Sequence, residues 1–144
     1  MRDAPRRNHG GGYSYRLAPA NGPLNEETFG KIPLKFVGKQ GLRWSGGPAH
    51  GGKEIWFNGT YVTEGTTPTG SMWSRCPIPR NDMRQTGVGF APPCMEFGMP
   101  ASMCQGMQDG EGGAEPTLEI VDRVLIPADL PAGEYVLGWR WDCE

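Results

Sequence analysis

Glycine and proline interrupt this chain so often that regular helices of ordinary length do not fit between them. They supply 23 and 14 of the 144 residues, and both residue types weaken or end a helix. The segments between these breaks alternate apolar and polar residues with a period of two, which is typical of half-buried strands. The sequence therefore predicts an all-β fold made of short strands and tight turns.

The clearest strand patterns lie near the two ends of the chain. Near the start, Tyr13, Tyr15 and Leu17 alternate with polar residues and share one face of a predicted strand. The run 134–143 shows the same alternation near the end. Its apolar face comprises Tyr135, Leu137, Trp139 and Trp141. Because aromatic side chains bury much apolar surface, we expect this face to lie in the core.

The middle of the chain predicts shorter elements. Residues 24–29 form one predicted helical turn with Asn25 as its N-cap. Residues 54–63 give the strongest hairpin pattern, because the dipeptide Asn58-Gly59 favours a two-residue turn between strands. The other predicted strands cover residues 33–37, 41–44 and 117–127, and a segment centred on Trp73.

Together these elements predict one domain over residues 1–144 with an immunoglobulin-like or fibronectin-like antiparallel β-sandwich. Residues 1–7 form a basic tail, and residues 80–116 form a long irregular loop rich in Cys, Met and Gly. The last strand has no turn signal after it, and an exposed aromatic edge favours pairing with another strand. We therefore expect a chain truncated at both ends, or a partner that supplies the next strand.

Composition excludes several classes of function. The formal net charge of −2 provides no basic surface for nucleic acid. No run of about 18 apolar residues is present, so no segment is expected to span a membrane. Residues 1–7 lack the apolar stretch of a signal peptide. We further expect the domain to be a monomer.

The cysteines and one sequon favour an extracellular, secreted protein. Cys76, Cys94, Cys104 and Cys143 make an even count without a Cys-x-x-Cys pair, which favours disulfides over a zinc site. The three possible pairings remain open, although a Cys94–Cys104 bridge would close the irregular loop. Asn58 begins an Asn-Gly-Thr sequon and is a candidate glycosylation site.

His9 stands directly before three glycines and the first predicted strand, and it is one of two histidines. Loops at the rim of a sheet often carry ligating side chains, and glycine lets a backbone approach a ligand closely. The alternative is a solvated loop histidine. His50 lies in a second glycine-rich loop, where it is either solvated or replaces a missing ligand.

Three segments together resemble the secreted lytic polysaccharide monooxygenase-like domains of algae and other protists, which are chitin-binding type-4-like. The first is His-Gly-Gly-Gly-Tyr-Ser-Tyr-Arg-Leu at residues 9–17, and the second is Gly-Ser-Met-Trp-Ser-Arg-Cys-Pro-Ile-Pro at 70–79. The third is 121–142, which ends in Gly-Glu-Tyr-Val-Leu-Gly-Trp-Arg-Trp-Asp. The resemblance implies a sandwich with a flat face and a copper ion held by two histidines. His9 matches the second of these histidines, and Tyr13 and Tyr15 would support it from the strand.

The sequence departs from this family in ways that affect the copper site. No histidine begins the chain, and the family's axial aromatic residue would lie beyond Glu144. Ala18 and Thr28 stand where close relatives have cysteines. With His9 alone we expect weak copper binding. The implied oxidoreductase is therefore incomplete in this chain.

Two functions are therefore expected. The first is copper-dependent oxidative cleavage of polysaccharide, with His9 as catalytic residue and metal ligand. The alternative is a non-catalytic carbohydrate-binding or extracellular-matrix module. Tyr13, Trp44 and Trp56 are the candidate polysaccharide contacts, because the two tryptophans lie near loops and aromatic rings provide flat apolar surfaces. The methionines at 95, 99, 103 and 107 are soft ligands that could handle copper, although methionine more often fills irregular gaps.

Overall fold

Ten short strands and one helical turn form the part of the chain that the structure describes. The structure, a computed structural model, describes residues 11–44, 54–77 and 118–142. The elements are β1 (Gly12–Pro19), α1 (Glu26–Phe29), β2 (Ile32–Pro33), β3 (Lys35–Phe36), β4 (Gln40–Trp44), β5 (Glu54–Phe57), β6 (Tyr61–Val62), β7 (Trp73–Arg75), β8 (Leu118–Val121), β9 (Val124–Leu125) and β10 (Tyr135–Asp142). The described sheets are antiparallel. The predicted all-β, sandwich-like fold is confirmed.

β1 is the central strand of the larger sheet. It pairs with β10 over its whole length, from Gly12 opposite Asp142 to Pro19 opposite Tyr135. On its other side it pairs with β7 near its start and with β2 near its end. β6 extends this sheet beyond β7. The predicted first and last strands are therefore neighbours in the fold.

A second layer consists of two smaller sheets, β5-β4-β8 and β3-β9. In the first, Leu42 lies between Ile55 and Ile120 and is fully buried. In the second, Phe36 pairs with Val124 and is also buried. Both small sheets turn these side chains toward the larger sheet, because alternate residues of a strand point to opposite faces.

The hairpin predicted over residues 54–63 is wrong. β5 pairs with β4, whereas β6 pairs with β7, so residues 58–60 carry the chain from one layer to the other. A two-residue type I′ turn needs a positive φ at both central residues, and neither Asn58 nor Gly59 has one. Gly59 instead makes room for Tyr61, because a Cβ at this position would lie 2.6 Å from the tyrosine ring.

The predicted helical turn and its N-cap are confirmed. The Asn25 side chain accepts a hydrogen bond from the backbone N–H three residues later, at 2.9 Å. α1 covers the outer face of the β1–β10 pair, where the Phe29 ring lies against Gly138. Arg16 donates from both terminal nitrogens to the Glu26 carboxylate, at 2.6 and 2.7 Å. This contact lowers the pKa of Glu26 and links the helix to β1.

The core lies between β1 and the second layer, and aromatic rings connect the two. The Phe36 ring centroid lies 5.9 Å from that of Tyr13 and 5.7 Å from that of Tyr15. The same ring stacks on Tyr61 at 5.1 Å. Among the described residues, the buried apolar side chains include Tyr13, Leu17, Ala18, Leu34, Phe36, Leu42, Phe57 and Cys76.

The apolar face of β10 is only partly covered, which corrects the expectation that it lies in the core. Leu17 on β1 is 6% exposed, but its partner Leu137 on β10 is 56% exposed. Trp139, opposite Tyr15, is 54% exposed. Within the described strands β10 is the edge of its sheet. The second layer therefore covers β1 but does not extend over β10.

Several sequence predictions concern residues outside the described ranges. They are the basic tail 1–7, the irregular loop 80–116, Cys94, Cys104 and Cys143. Cys76 is described and is buried, but the disulfide prediction as a whole stays a prediction. Among the helices that the structure describes, none is long and apolar enough to cross a membrane.

The contact between Gly138 and Phe29 gives a test of the α1 packing. A Cβ at Gly138 would lie 2.7 Å from the Phe29 ring, so Gly138→Ala must displace the helix or its ring. We expect the free energy of unfolding to fall by about 1–3 kcal/mol, the usual cost of overpacking. Chemical denaturation measures this change. Gly133→Ala is the matched control, because its Cβ would meet its nearest atom, on Tyr135, at 3.7 Å; an equal loss in both variants would contradict the packing.

Candidate functional site

Asp122 is the centre of a polar cluster inside the fold. It lies in the two-residue link between β8 and β9. Its Oδ2 accepts hydrogen bonds from the hydroxyls of Tyr13 and Tyr15, at 2.8 and 3.2 Å. Its Oδ1 accepts a hydrogen bond from Gln40 Nε2 at 2.9 Å. One carboxylate thus receives three hydrogen bonds from two different layers, which compensates its partial burial.

Gln40 joins the two layers at the same cluster. Its Nε2 lies 2.8 Å from the Tyr13 hydroxyl oxygen and 2.9 Å from Ser74 Oγ. Gln40 on β4 is 1% exposed, and Ser74 on β7 is fully buried. A primary amide has two protons to donate, so Nε2 shares them among three oxygens. The Asp122 cluster, which comprises Tyr13, Tyr15, Gln40, Ser74 and Asp122, is therefore a contact between sheets.

The electrostatics of this cluster keep its tyrosines protonated. Burial is the main cause that raises the pKa of Tyr13, and the negative charge of Asp122 raises it further. The same two causes, in the same order, raise the pKa of Tyr15. A phenol with a raised pKa keeps its proton and uses it to donate a hydrogen bond to the carboxylate. These hydroxyls thus act as fixed hydrogen-bond donors rather than as general acids or bases near neutral pH.

Tyr13, which was predicted to contact polysaccharide, is buried. Its side chain is 2% exposed, and its ring contacts those of Tyr15, Phe36 and Trp139. A buried ring has no face for a sugar, so the assignment of Tyr13 as a polysaccharide contact is corrected. The alternating pattern correctly predicted that Tyr13 lies on a strand. The sequence does not show which residues of that strand are covered by the second layer.

Trp56 lies flat on the outer face of the β5-β4-β8 sheet. A Cβ at Gly41 would lie 2.9 Å from its six-membered ring, so glycine at this position makes the close approach possible. The indole N–H donates to a Glu54 carboxylate oxygen at 3.3 Å. The Arg123 guanidinium carbon lies 5.0 Å from the ring centroid. Trp56 is half-buried under this arginine, and the side chain of Trp44 lies outside the described residues.

The exposed aromatic surface lies on β10 instead. We define the β10 aromatic face as Leu137, Trp139 and Trp141. The two indole centroids lie 6.0 Å apart with an interplanar angle of 43°. Trp139 also lies 6.0 Å from the Tyr13 ring, which supports it from the core side. Sequence reasoning identified this apolar face but assigned it to the core, because nothing in the pattern marks where the opposing layer ends.

The predicted copper site involves residues beyond the described ranges. His9 and His50 lie outside them, and residues 11–44, 54–77 and 118–142 contain no group of three or more His, Cys, Asp or Glu that could hold a metal ion. Gly11, two positions after His9, has a φ of 83° and accepts a hydrogen bond from the Cys76 backbone N–H at 3.0 Å. The copper assignment therefore stays a prediction.

Comparison with known proteins adds no relative. Neither a protein-family model, nor a curated protein, nor a solved structure matches this chain. The resemblance to lytic polysaccharide monooxygenase-like domains therefore stays a prediction from residues 9–17, 70–79 and 121–142. Asn58 is exposed, as a glycosylated residue must be, and the sequon likewise stays a prediction.

The protonated tyrosines of the Asp122 cluster give the fold a defined pH dependence. The tyrosines of the unfolded chain lose their protons above the ordinary tyrosine pKa of 10.0, whereas those of the folded chain keep them. The contribution of these protons to the free energy of unfolding is therefore fully present below this pH and is lost as the pH rises further. Each retained proton contributes a slope of about 1.4 kcal/mol per pH unit. We expect Tyr13→Phe to reduce the slope of unfolding free energy above pH 10.0 by about this amount.

Denaturation at a series of alkaline pH values measures that slope. Leu125→Ala serves as the control, because Leu125 is 54% exposed and the substitution changes no titratable group. An unchanged slope in Tyr13→Phe would show that Tyr13 does not retain its proton in the fold.

Proposed function

We propose that this domain binds polysaccharide and that the β10 aromatic face provides the contact. The observation that supports this most is the 54% exposure of Trp139, a residue type that usually buries most of its surface. Leu137, which is 56% exposed, extends the same apolar surface along the strand. Exposed apolar groups that are contiguous, rather than scattered, often mark binding sites.

The chemistry of tryptophan suits a sugar polymer. The C–H faces of pyranose rings are apolar, and an indole ring offers them a large, flat and rigid surface with few rotatable bonds. Trp139 lies on a strand that is paired with β1 over eight positions, and its ring contacts Trp141 and Tyr13. Little conformational entropy is therefore lost when a ligand covers it.

Binding through this face is common to both functions that the sequence predicts. An oxidative enzyme needs to hold its polymer, and a non-catalytic carbohydrate-binding module needs nothing more. The binding function is therefore proposed first, for an extracellular domain that acts on or adheres to an insoluble polysaccharide.

The second candidate function is copper-dependent oxidative cleavage of the same polymer. Its support is the resemblance of the segment containing His9 and the position of that segment directly before β1. The first residues of β1 pair with the end of β10, since Gly12 lies opposite Asp142 and Tyr13 lies opposite Trp141. A metal-binding residue directly before β1 is thus adjacent in sequence to the end of the β1–β10 pair at which Trp141 lies.

Replacing Trp139 tests the binding function. Trp139→Ala removes the most exposed aromatic ring of the β10 aromatic face, and we expect affinity for insoluble cellulose or chitin to fall by about tenfold, which corresponds to about 1.4 kcal/mol. Depletion of the protein from solution by the washed polymer measures the affinity, and the wild type first establishes which polymer is bound.

Leu125→Ala is the matched control, because Leu125 is equally exposed but lies on β9. The proposal predicts that this variant binds like the wild type. Equal losses in the two variants, or none in Trp139→Ala, would contradict the assignment of the β10 aromatic face. Trp139→Phe is expected to retain an intermediate affinity because it keeps an aromatic ring.

Replacing His9 tests the oxidative function. The protein secreted by a eukaryotic host is titrated with Cu(II) and then incubated with polymer and a reductant. In His9→Ala we expect the affinity for Cu(II), which is already weak with His9 as the single matched ligand, to fall at least about tenfold, and any copper-dependent oxidised products that the wild type forms to disappear. His50→Ala is the control, with both properties expected to stay at the wild-type level. Unchanged copper binding and products in His9→Ala would contradict a copper role for His9.

A further inference from the structure

Arg123 differs from other described arginines in what holds its guanidinium. Arg16, Arg43 and Arg140 each pair with a carboxylate, at 2.6, 2.7 and 3.0 Å. Arg123 instead lies over the ring of Trp56, with its guanidinium carbon 5.0 Å from the ring centroid. Within the part of the chain that the structure describes, no carboxylate lies within ion-pair distance of Arg123. Its charge is therefore positioned but not neutralised.

The ring beneath Arg123 is fixed from two sides. Gly41 permits the indole of Trp56 to lie against the backbone of β4, and Glu54 accepts the indole N–H at 3.3 Å. Because one face of the ring is against the sheet, the guanidinium occupies the side toward solvent. A cation over an aromatic ring is attracted by the ring face rather than by an acceptor atom, so this contact pairs none of the guanidinium N–H donors with an oxygen.

The charges around this pair leave the corner of the second layer positive. Glu54 is matched by Arg43, whose Nε lies 2.7 Å from its carboxylate. Lys35 and Lys39 are exposed, and neither has an ion pair within the described residues. A Cβ built on Gly38, which precedes Lys39, would lie 4.0 Å from Arg123 Cδ, so the backbone at Gly38 passes close to the arginine.

One carboxylate on the same sheet face adds a negative charge farther along the strands. Glu119 on β8 lies opposite Arg43 on β4, whereas Trp56 lies opposite Gly41, two positions nearer the Arg123 end of β4. Arg43 thus has carboxylates on both neighbouring strands, Glu54 and Glu119. Glu54, which also accepts the Trp56 indole N–H, is paired with Arg43, and the carboxylate of Asp122, the residue before Arg123, is engaged by Tyr13, Tyr15 and Gln40.

We propose that Arg123, held on Trp56, binds the anionic group of an acidic polysaccharide. The group is a uronate carboxylate or a sulfate ester, since both accept two parallel hydrogen bonds from a guanidinium. A guanidinium that is already ordered loses less entropy on binding. The inference takes its ligand class from the proposed polysaccharide binding, but it assigns a surface on β5 and the β8–β9 link, distinct from the β10 aromatic face.

Isothermal titration calorimetry with three soluble oligomers tests the proposal. The probes are oligogalacturonate, a sulfated galactan oligomer and a neutral cello-oligosaccharide. In Arg123→Gln we expect affinity for at least one acidic oligomer to fall by about tenfold, as expected for loss of a charge-assisted pair. Affinity for the neutral oligomer is expected to stay within about twofold of wild type. The acidic oligomer that shows the larger loss identifies the carboxylate or the sulfate.

Lys31→Gln is the matched control for net charge. The substitution removes the same charge as Arg123→Gln. Lys31 is exposed and pairs with Glu27 of α1, away from Trp56. The proposal predicts no more than about a twofold change in this variant, because surface charges of this kind are strongly screened. Equal losses in Arg123→Gln and Lys31→Gln would overturn the proposal, because they would show that only total charge matters.

Two further variants separate this site from the proposed binding face. Trp56→Leu removes the ring that holds Arg123, and we expect it to lower the affinity for the acidic oligomer as Arg123→Gln does. Thermal unfolding confirms that the variant folds. Trp139→Ala is expected to lower the affinity for the neutral oligomer instead. If wild type binds no acidic oligomer more tightly than the neutral one, the inference about Arg123 fails while the β10 aromatic face is unaffected.

Discussion

The described fold depends on the hydrogen bonds that Asp122 and Gln40 make across the interior. Gln40 reaches from β4 to Tyr13 on β1 and Ser74 on β7, so a single side chain bridges the two layers. The Gln40 Nε2 donor is paired, whereas its Oε1 is buried without a partner among the described residues, and losing one more partner would leave further polar groups unpaired in a poor solvent. The separation of the layers and the position of β1 are therefore set by directional bonds as well as by apolar packing.

The same network influences the surface chemistry. It holds the Tyr13 ring in place, and Tyr13 supports Trp139 from the core side at 6.0 Å. Trp139 is therefore held in position by the Tyr13 ring although 54% of its surface is exposed. On the opposite layer Trp56 is fixed differently, by Gly41 beneath it and by Glu54 at its N–H. The two tryptophans thus present different surfaces, one an open ring and the other a ring covered by a guanidinium.

Much of the secondary structure could be predicted from local patterns, because these patterns depend on neighbouring residues alone. Alternation located β1 and β10, and Asn25 was identified as a cap because its side chain can reach the first free backbone donors of a helix. The pairing of β5 with β4 could not be predicted in this way. Asn58-Gly59 is compatible with a hairpin, and only the distant partners Gln40 and Ser74 decide that the chain crosses between layers. The candidate site was missed for a similar reason, since the exposure of Trp139 depends on where another sheet stops.

The pairing of β1 with β10 also has a consequence for how the protein is made. The two longest strands come from opposite ends of the described chain, with Gly12 opposite Asp142. Contacts between such distant residues form slowly, because a long loop must close before they contribute. During synthesis β1 is completed before β10, so the edge of β1 that pairs with β10 stays without this partner until the chain has been made as far as Asp142, although β2 and β7 emerge earlier on its other side. An exposed strand edge favours aggregation, so the β10-pairing edge of β1 is the part of a nascent chain that a chaperone would need to cover.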